Sequence, residues 1–381
     1  MHDSPFIYGS TVSVKSFTNR EQEADKLRSN LLNGINTMII SPRRWGKSSL
    51  VEKVIHDINK KNKNTKTLII DLFSVGNEQE FLETFAREVL KSTSGKWQEW
   101  VATGKEFFKQ LIPKFSMGFD QNDFSLSFDW KELKKHSQEV LDLPESIARK
   151  KGIQIIICLD EFQNLSNFKD YENFEKKLRA CWQRHKNVTY CLYGSKRHMM
   201  SEIFNSPSKP FYRFGDIMLL PKIDTAKWVK FICKSFEKSG KSINPDVAEK
   251  IPKLMKCHSW YVQQLAHYTW NLCDKKATEE DLNRALKELI QANTPLYQKE
   301  VESISGTQLS LLKAVSKGET RFTSTAVMEN YSLGTPRNVS KNKDILIAGD
   351  LIHEVDGQYE FLDPAFELWF KKQFFNQPYN K

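Results

Sequence analysis

Along the first half of the chain, short unbroken apolar runs alternate with longer stretches whose apolar positions recur every three or four residues. The run Thr37-Met38-Ile39-Ile40, ending at Ser41-Pro42, predicts a buried strand that enters a loop. From Ser48 to Asn59, the residues Leu50, Val51, Val54, Ile55 and Ile58 fall on one face of a helix. Thr67 to Phe73 predicts a second strand, and Gln79 to Leu90 a second amphipathic helix. Residues 153–160 form the most hydrophobic strand; Val188 to Tyr193 follows, after a helix containing Phe174 to His185. Strands alternating with helices of this length predict an α/β architecture, a parallel sheet covered on both faces.

Residues 97–150 interrupt the rhythm. Phe115 to Phe119 and Phe124 to Phe128 each alternate apolar with small or polar residues around the turn-rich Asp120-Gln121-Asn122-Asp123. This predicts a β-hairpin insertion at about 113–129, followed by a long helix from Trp130 to Lys150. Beyond position 224 the strand signals fade. Thr225 to Lys238, Pro245 to Met255, Trp260 to Cys273 and Thr278 to Asn293 read as helices. Thr307 to Ser316, Thr323 to Asn330 and Thr335 to Leu351 predict further helices, the last opening on a Thr-Pro pair suited to an N-cap and first turn. Ile352 to Leu362, with Asp356-Gly357 at its centre, predicts a hairpin. The expected organisation is thus an α/β core over 1–223, a helical lid subdomain over 224–304 and a winged-helix domain over 305–381.

Composition refines this picture only a little. Hydrophobic residues make up 39% of the 381 positions and charged ones 27%, and mean hydropathy is −0.55. That is a globular composition. No apolar run approaches the roughly 18 residues of a membrane span, and no secretory signal is visible, so a cytoplasmic location is expected. Six cysteines, with no CxxC pair, predict buried free thiols rather than a zinc or disulfide framework. The 57 basic and 47 acidic residues give a net charge of +10, which suits polyanionic partners such as nucleotides or nucleic acid but also arises from lysine-rich solvated faces.

The chemistry concentrates in Ser41-Pro42-Arg43-Arg44-Trp45-Gly46-Lys47-Ser48-Ser49. Its end fits the phosphate-loop pattern GxxxxGK[ST], with Ser41 where the first glycine would stand, and it lies between a strand and an amphipathic helix. A loop feeding a helix N-terminus aims backbone N–H groups at phosphate oxygens. There Gly46 permits close approach, Lys47 neutralises β/γ charge and the Ser48 hydroxyl can ligate Mg²⁺. Arg43 and Arg44 are placed either on phosphate or in solvent. The strand end Leu159-Asp160-Glu161 supplies the acidic partner. Asp160 is expected to hold Mg²⁺, directly or through water, and Glu161 to orient or deprotonate the attacking water. Ser195, ending a third strand, is either a γ-phosphate sensor or an ordinary turn residue. Arg213 is either a transition-state arginine or a surface residue.

Taken in order, Phe17-Thr18-Asn19-Arg20-Glu21, PRRWGKSSL, IDLFSV at 70–75, LDEFQNL at 159–165, YGSKRHMM at 193–200 and PFYRF at 210–214 resemble the archaeal-type P-loop ATPases. These are a branch of the STAND class within the AAA+ group, and the resemblance covers roughly residues 15–300. It implies a parallel-sheet P-loop NTPase core with a helical lid, ATP and Mg²⁺ as ligands, Asn19 and Arg20 near adenine and ribose, and Arg213 near the phosphates. Two departures stand out. Ser41 replaces a glycine, and Cys257-His258-Ser259-Trp260-Tyr261-Val262-Gln263 lacks the glycine and proline of the family's lid motif.

From Ser305 to Lys381 there are nine Lys/Arg and nine Asp/Glu, so the winged helix is neutral. A sequence-independent grip on DNA needs local positive charge. Arg337, Lys341 and Lys343 on its third helix are followed by Asp344 and Asp350, which favours an intramolecular or protein-contact role over DNA reading. The reading is therefore an ATP-binding, slowly hydrolysing switch with a possible protein partner or self-association. Its rivals are a nucleotide-gated DNA-binding regulator and a scaffold that holds nucleotide without hydrolysis.

Overall fold

A computed structural model describes residues 4–9, 20–94, 115–120, 123–128, 134–355 and 357–379. Chain contacts divide them into two units: one gathers residues 4–9, Arg44–Gly46 and 222–379, the other the remaining described residues up to Pro221.

The second unit begins with α1 (Glu21–Leu32), β1 (Thr37–Ile40), α2 (Lys47–Lys61), β2 (Thr65–Asp71) and α3 (Glu78–Thr93). An antiparallel pair, β3 (Phe115–Asp120) and β4 (Asp123–Phe128), matches the expected insertion. Then follow α4 (Ser137–Lys151), β5 (Gln154–Asp160), a 3-10 turn (Phe162–Asn167), α5 (Tyr171–Trp182), β6 (Val188–Gly194), α6 (Arg197–Asn205) and β7 (Asp216–Leu219). The start of the long helix expected from Trp130 lies outside the described residues.

Five strands form one parallel sheet in the order β2-β5-β6-β1-β7. Its central strands are buried on both faces, and their side chains alternate between two apolar layers, as the pleat demands. Ile155, Ile157 and Leu159 of β5 join Phe81, Phe85, Leu141 and Trp182 on one side. Ile156 and Cys158 join Leu27, Leu50, Val54 and Ile58 of α1 and α2 on the other. The edge strand β7 was not expected from the sequence. It is short, its Leu219 is 58% exposed, and so it carries no unbroken buried run. Gly215 precedes it, where a Cβ would lie 2.0 Å from the Asn36 carbonyl oxygen, so only glycine lets the strand begin there.

The first unit contains α7 (Thr225–Lys238), α8 (Pro245–Leu254), α9 (Ser259–Leu272) and α10 (Glu279–Glu302), with a two-residue parallel pair, β8 (Ser242–Ile243) and β9 (Lys276–Ala277). It continues through α11 (Gly306–Ser316), α12 (Thr325–Asn330), α13 (Pro336–Ala348), the antiparallel pair β10 (Ile352–Val355) and β11 (Gln358–Phe361), and α14 (Pro364–Phe375). Three helices and a hairpin in this order are the winged-helix arrangement. Thr335 caps α13 by accepting from the Asn338 amide at 3.3 Å, with Pro336 in the first turn. The helix stops at Ala348, short of the expected Leu351, because Gly349 follows and Asp350 turns left-handed at φ 57°. Of the six cysteines, all free, Cys158, Cys181, Cys191 and Cys273 are buried and Cys233 and Cys257 half-buried.

Candidate functional site

Three chain segments leave the sheet at one edge, because the strands are parallel and in register. Ile40 at the end of β1 pairs with Gly194 at the end of β6, and Leu159 of β5 pairs with Leu192. The residues that follow, Ser41, Asp160-Glu161 and Ser195, therefore emerge together, at the strand ends where open α/β sheets bind ligands.

The side chains meet there. Ser48 Oγ donates to Asp160 Oδ2 at 2.9 Å, and Lys47 Nζ lies 3.5 Å from Glu161 Oε1. Ser195 donates to Glu161 Oε2 through its hydroxyl at 2.8 Å and its amide at 3.2 Å. Gln163 Nε2 donates to the same oxygen. Glu161 sits in left-handed backbone, φ 52°, with its amide on Asp160 Oδ1 at 2.8 Å, so the two carboxylates diverge from one strand end.

Burial sets the electrostatics. It pushes the Asp160 carboxyl up to about 6, against the opposing pull of the Lys47 ammonium and the Ser48 hydroxyl. Burial also raises Glu161, but Lys47, Gln163 and Ser195 together outweigh it and hold this carboxyl below the usual range. At neutral pH the cluster thus carries two carboxylates and one ammonium, itself 6% exposed. Ser48 and Asp160 present hard oxygen donors side by side beside a surplus negative charge, which fits a small divalent cation such as Mg²⁺.

Around the loop, Ser41 and Pro42 are buried, Arg43 is exposed, and Ser49 is buried in the first turn of α2. Arg44 and Gly46 adopt positive φ, 65° and 90°. Arg44 is exposed and its guanidinium lies 4.6 Å from the Trp260 ring centroid, with Nη1 donating to the Tyr261 hydroxyl at 3.5 Å. Trp45 is buried edge-on to His258 and His353, and the Lys222 ammonium lies 5.8 Å from its ring. Sequence reasoning assigned both residues to the ligand loop and missed these aromatic contacts.

Two of the remaining candidates make other contacts. Arg20, buried before α1, donates to the Pro221 carbonyl at 3.0 Å and pairs with Glu23 at 3.4 Å. Arg213 is exposed in left-handed backbone, φ 53°, with its guanidinium over the Tyr212 ring at 5.2 Å. No contact ties it to Lys47, Asp160 or Glu161. Asn19 lies outside the described residues.

Gln163 escaped sequence reasoning. Its signal is Gly194: a Cβ at that position would lie 1.8 Å from Gln163 Oε1, so glycine is what lets the amide reach Glu161.

Fold and edge geometry together define a parallel-sheet nucleotide-binding core of the P-loop type followed by a winged helix. A family model described as an ATPase domain predominantly from Archaea matches residues 17–265, and the chain belongs to that family. A second, described as a probable winged helix domain, matches residues 295–372. Among solved structures, the chain is similar to a Walker-type ATPase of Pyrococcus abyssi, at 18% identity and a TM-score of 0.66, covering 94% of this chain and 97% of that one. It is also similar to the ORC2 protein of Aeropyrum pernix in ADPNP-ADP complexes, at 13% identity and a TM-score of 0.58, covering 99% and 98%. These likenesses establish the fold. No curated protein sequence matches the chain. Among the described residues, no helix is long and apolar enough to cross a membrane.

Proposed function

We propose that this protein binds ATP, hydrolyses it slowly, and uses the nucleotide's state as a switch. The observation that carries this reading is the 2.9 Å hydrogen bond from Ser48, at the start of α2, to Asp160, at the end of β5. It brings the phosphate-loop sequence and the acidic strand end together.

Each residue then has a task. The amides of Arg44 to Ser49 face the phosphates at the N-terminus of α2, with the helix dipole behind them. Lys47 neutralises phosphate charge, and Ser48 with Asp160 would hold Mg²⁺. The ion, when bound, neutralises charge on the oxygens of the transferring phosphoryl group. Glu161 accepts the proton of the attacking water. In the structure its carboxylate already takes hydrogen bonds from Gln163 and twice from Ser195, besides the Lys47 ion pair. A base so occupied is a weak base, which supports slow basal turnover. A phosphate that draws Lys47 away relieves part of that hold.

The switch reading rests on Arg44 and Trp45. Their side chains pack on Trp260, His258 and His353, so a phosphate that shifts the backbone of these two residues is felt at those contacts. We read the charge-neutral winged helix as a protein-contact module, with a partner or a second copy as its target. The test is ATP turnover and binding in two variants. Lys47→Ala is expected to lose nucleotide affinity. Glu161→Gln is expected to bind ATP yet lose about 10²- to 10⁴-fold in turnover, and to change its size in solution between ATP and ADP. Wild-type protein that binds no nucleotide removes the proposal.

A further inference from the structure

A second polar cluster lies in the same unit, at the opposite end of the sheet. Asp142 projects from α4, Cys181 from the last turn of α5, and His185 from the segment leading into β6. Cys181 Sγ lies 2.8 Å from Asp142 Oδ1 and 3.7 Å from His185 Nε2; His185 Nε2 lies 2.9 Å from the same Oδ1. The imidazole side chain is 1% exposed and Asp142 34%. His185 Nδ1 meets the Tyr190 hydroxyl at 2.9 Å, which fixes the ring so that Nε2 faces the thiol and the carboxylate. One sulfur, one imidazole nitrogen and one carboxylate oxygen thus converge from three segments, each within 4.8 Å of the others.

We propose that Asp142, Cys181 and His185 form a zinc site, closed by a fourth ligand from solvent. The donor set is the one zinc favours, and softer than magnesium or calcium accept. Bond lengths of about 2.3 Å to sulfur and about 2.0 Å to nitrogen and oxygen place tetrahedral ligands about 3.5 Å (sulfur to nitrogen or oxygen) and about 3.3 Å (nitrogen to oxygen) apart. The observed sulfur-to-nitrogen distance of 3.7 Å already matches. Only Asp142 Oδ1 must retreat, by roughly 0.7 Å from the sulfur and roughly 0.4 Å from the nitrogen, and its side chain is one-third exposed.

Protons balance as well. Without metal, the Cys181 thiol and the His185 Nε2–H both donate to Asp142 Oδ1, and the Tyr190 hydroxyl donates to Nδ1. With zinc, the thiol proton leaves to solvent and the imidazole hydrogen moves to Nδ1, which then donates to Tyr190. A hydroxyl serves either way. One dication replaces two hydrogens that crowd a single oxygen. The site would tie α4 to the connection between α5 and β6, near the amino end of β6. Asp160 and Ser195 lie beyond the other end of the sheet, about 20 Å away at some 3.3 Å per strand residue. The site is therefore independent of the ATP reading.

The CxxC criterion could not find this site, because only the Cys181 and His185 pair is local in sequence.

The probe is Co²⁺, followed by Zn²⁺, titrated into the chelator-stripped, tag-free full chain. One Co²⁺ per chain is expected to give the near-ultraviolet sulfur-to-cobalt band and strong visible absorption of a tetrahedral centre, both bleached by one equivalent of Zn²⁺. Ser48 and Asp160 offer only oxygen and cannot produce the sulfur band. Cys181→Ser should abolish that band, and Tyr190→Phe should keep it while weakening affinity about 10-fold. The wild-type titration decides the matter even if Cys181→Ser fails to fold. Absence of the sulfur band in wild type, or its survival in a folded Cys181→Ser variant, reduces the cluster to a hydrogen-bonded knot and overturns the proposal.

Discussion

The two ends of the central sheet hold buried polar clusters of similar size and opposite electrostatic character. At the carboxyl end, Asp160 and Glu161 outnumber Lys47, and burial raises Asp160 against the pull of the Lys47 ammonium and the Ser48 hydroxyl. At the amino end, Asp142 faces the exposed Arg184 at 3.5 Å, while burial lowers the His185 pKa and raises that of Cys181. Both of those groups are thus neutral at pH 7. One end carries unmatched charge, and the other, without metal, is closed by its own protons. The same apolar layers support both, so the difference lies in which charges the chain left unmatched, and that is what marks a reactive site.

The widest gap between the ends should appear in catalysis. Lys47→Ala and Glu161→Gln are expected to lose about 10²-fold or more in ATP turnover, the scale for removing a general base or a phosphate-neutralising cation. Cys181→Ser and His185→Gln should leave turnover within about threefold of wild type, and lower stability by about 1–3 kcal/mol through an unpaired buried group. Steady-state turnover beside urea unfolding checks both halves. Equal catalytic loss at the two ends would erase the contrast.

Gly194→Ala sharpens the carboxyl end. The added Cβ would lie 1.8 Å from Gln163 Oε1 and 3.0 Å from Met200 Sδ, and overpacking of this kind costs up to about 3 kcal/mol. Urea unfolding of Gly194→Ala beside Gly194→Ala/Gln163→Ala reads it. The double variant, with the clashing amide gone, should regain most of the loss. If it does not, Gln163 is not what Gly194 accommodates.

Features of this fold are legible in the sequence to the extent that they are local. β1, β5 and β6 were legible because parallel strands buried on both faces have no polar alternation to blur them. β7 was not, since an edge strand of four residues buries too little to leave a pattern. Lys47 with Ser48, and Asp160 with Glu161, were found because each pair is contiguous and its strand context is fixed. Gln163 needed the knowledge that Gly194 sits opposite. Asp142 lies some forty positions before Cys181, and only the packing of α4 on α5 unites them. The aromatic seat of Trp45 is equally non-local, drawn from His258 and His353.

A buried group in the other unit has the opposite dependence on solvation. Burial pulls the His258 imidazole down to about 3, with Arg44 and Lys222 adding to the effect. The unfolded chain, near 6.5, takes up the proton first, so stability is complete above pH 6.5 and falls as pH drops from there toward 3. At pH 5 the loss should be about 2 kcal/mol, from 1.36 kcal/mol per unit. Urea unfolding at pH 7 and pH 5 is expected to show that difference in wild type and to lose most of it in His258→Gln. An unchanged acid dependence in the variant would assign the effect to other groups.

The smallest effect is expected at Arg213, where the sequence allowed either a transition-state arginine or a surface one. A transition-state arginine must reach the γ-phosphate, and its removal typically costs 10³-fold or more in turnover. In the structure the guanidinium rests on Tyr212, exposed, with no tie to Lys47, Asp160 or Glu161. Arg213→Ala should therefore keep ATP affinity, and keep turnover of the dilute protein, within about twofold of wild type. Turnover that rises with protein concentration in wild type and stays flat in Arg213→Ala would show the arginine serving a second copy. A loss in the dilute protein would instead place it in the reaction centre of its own chain.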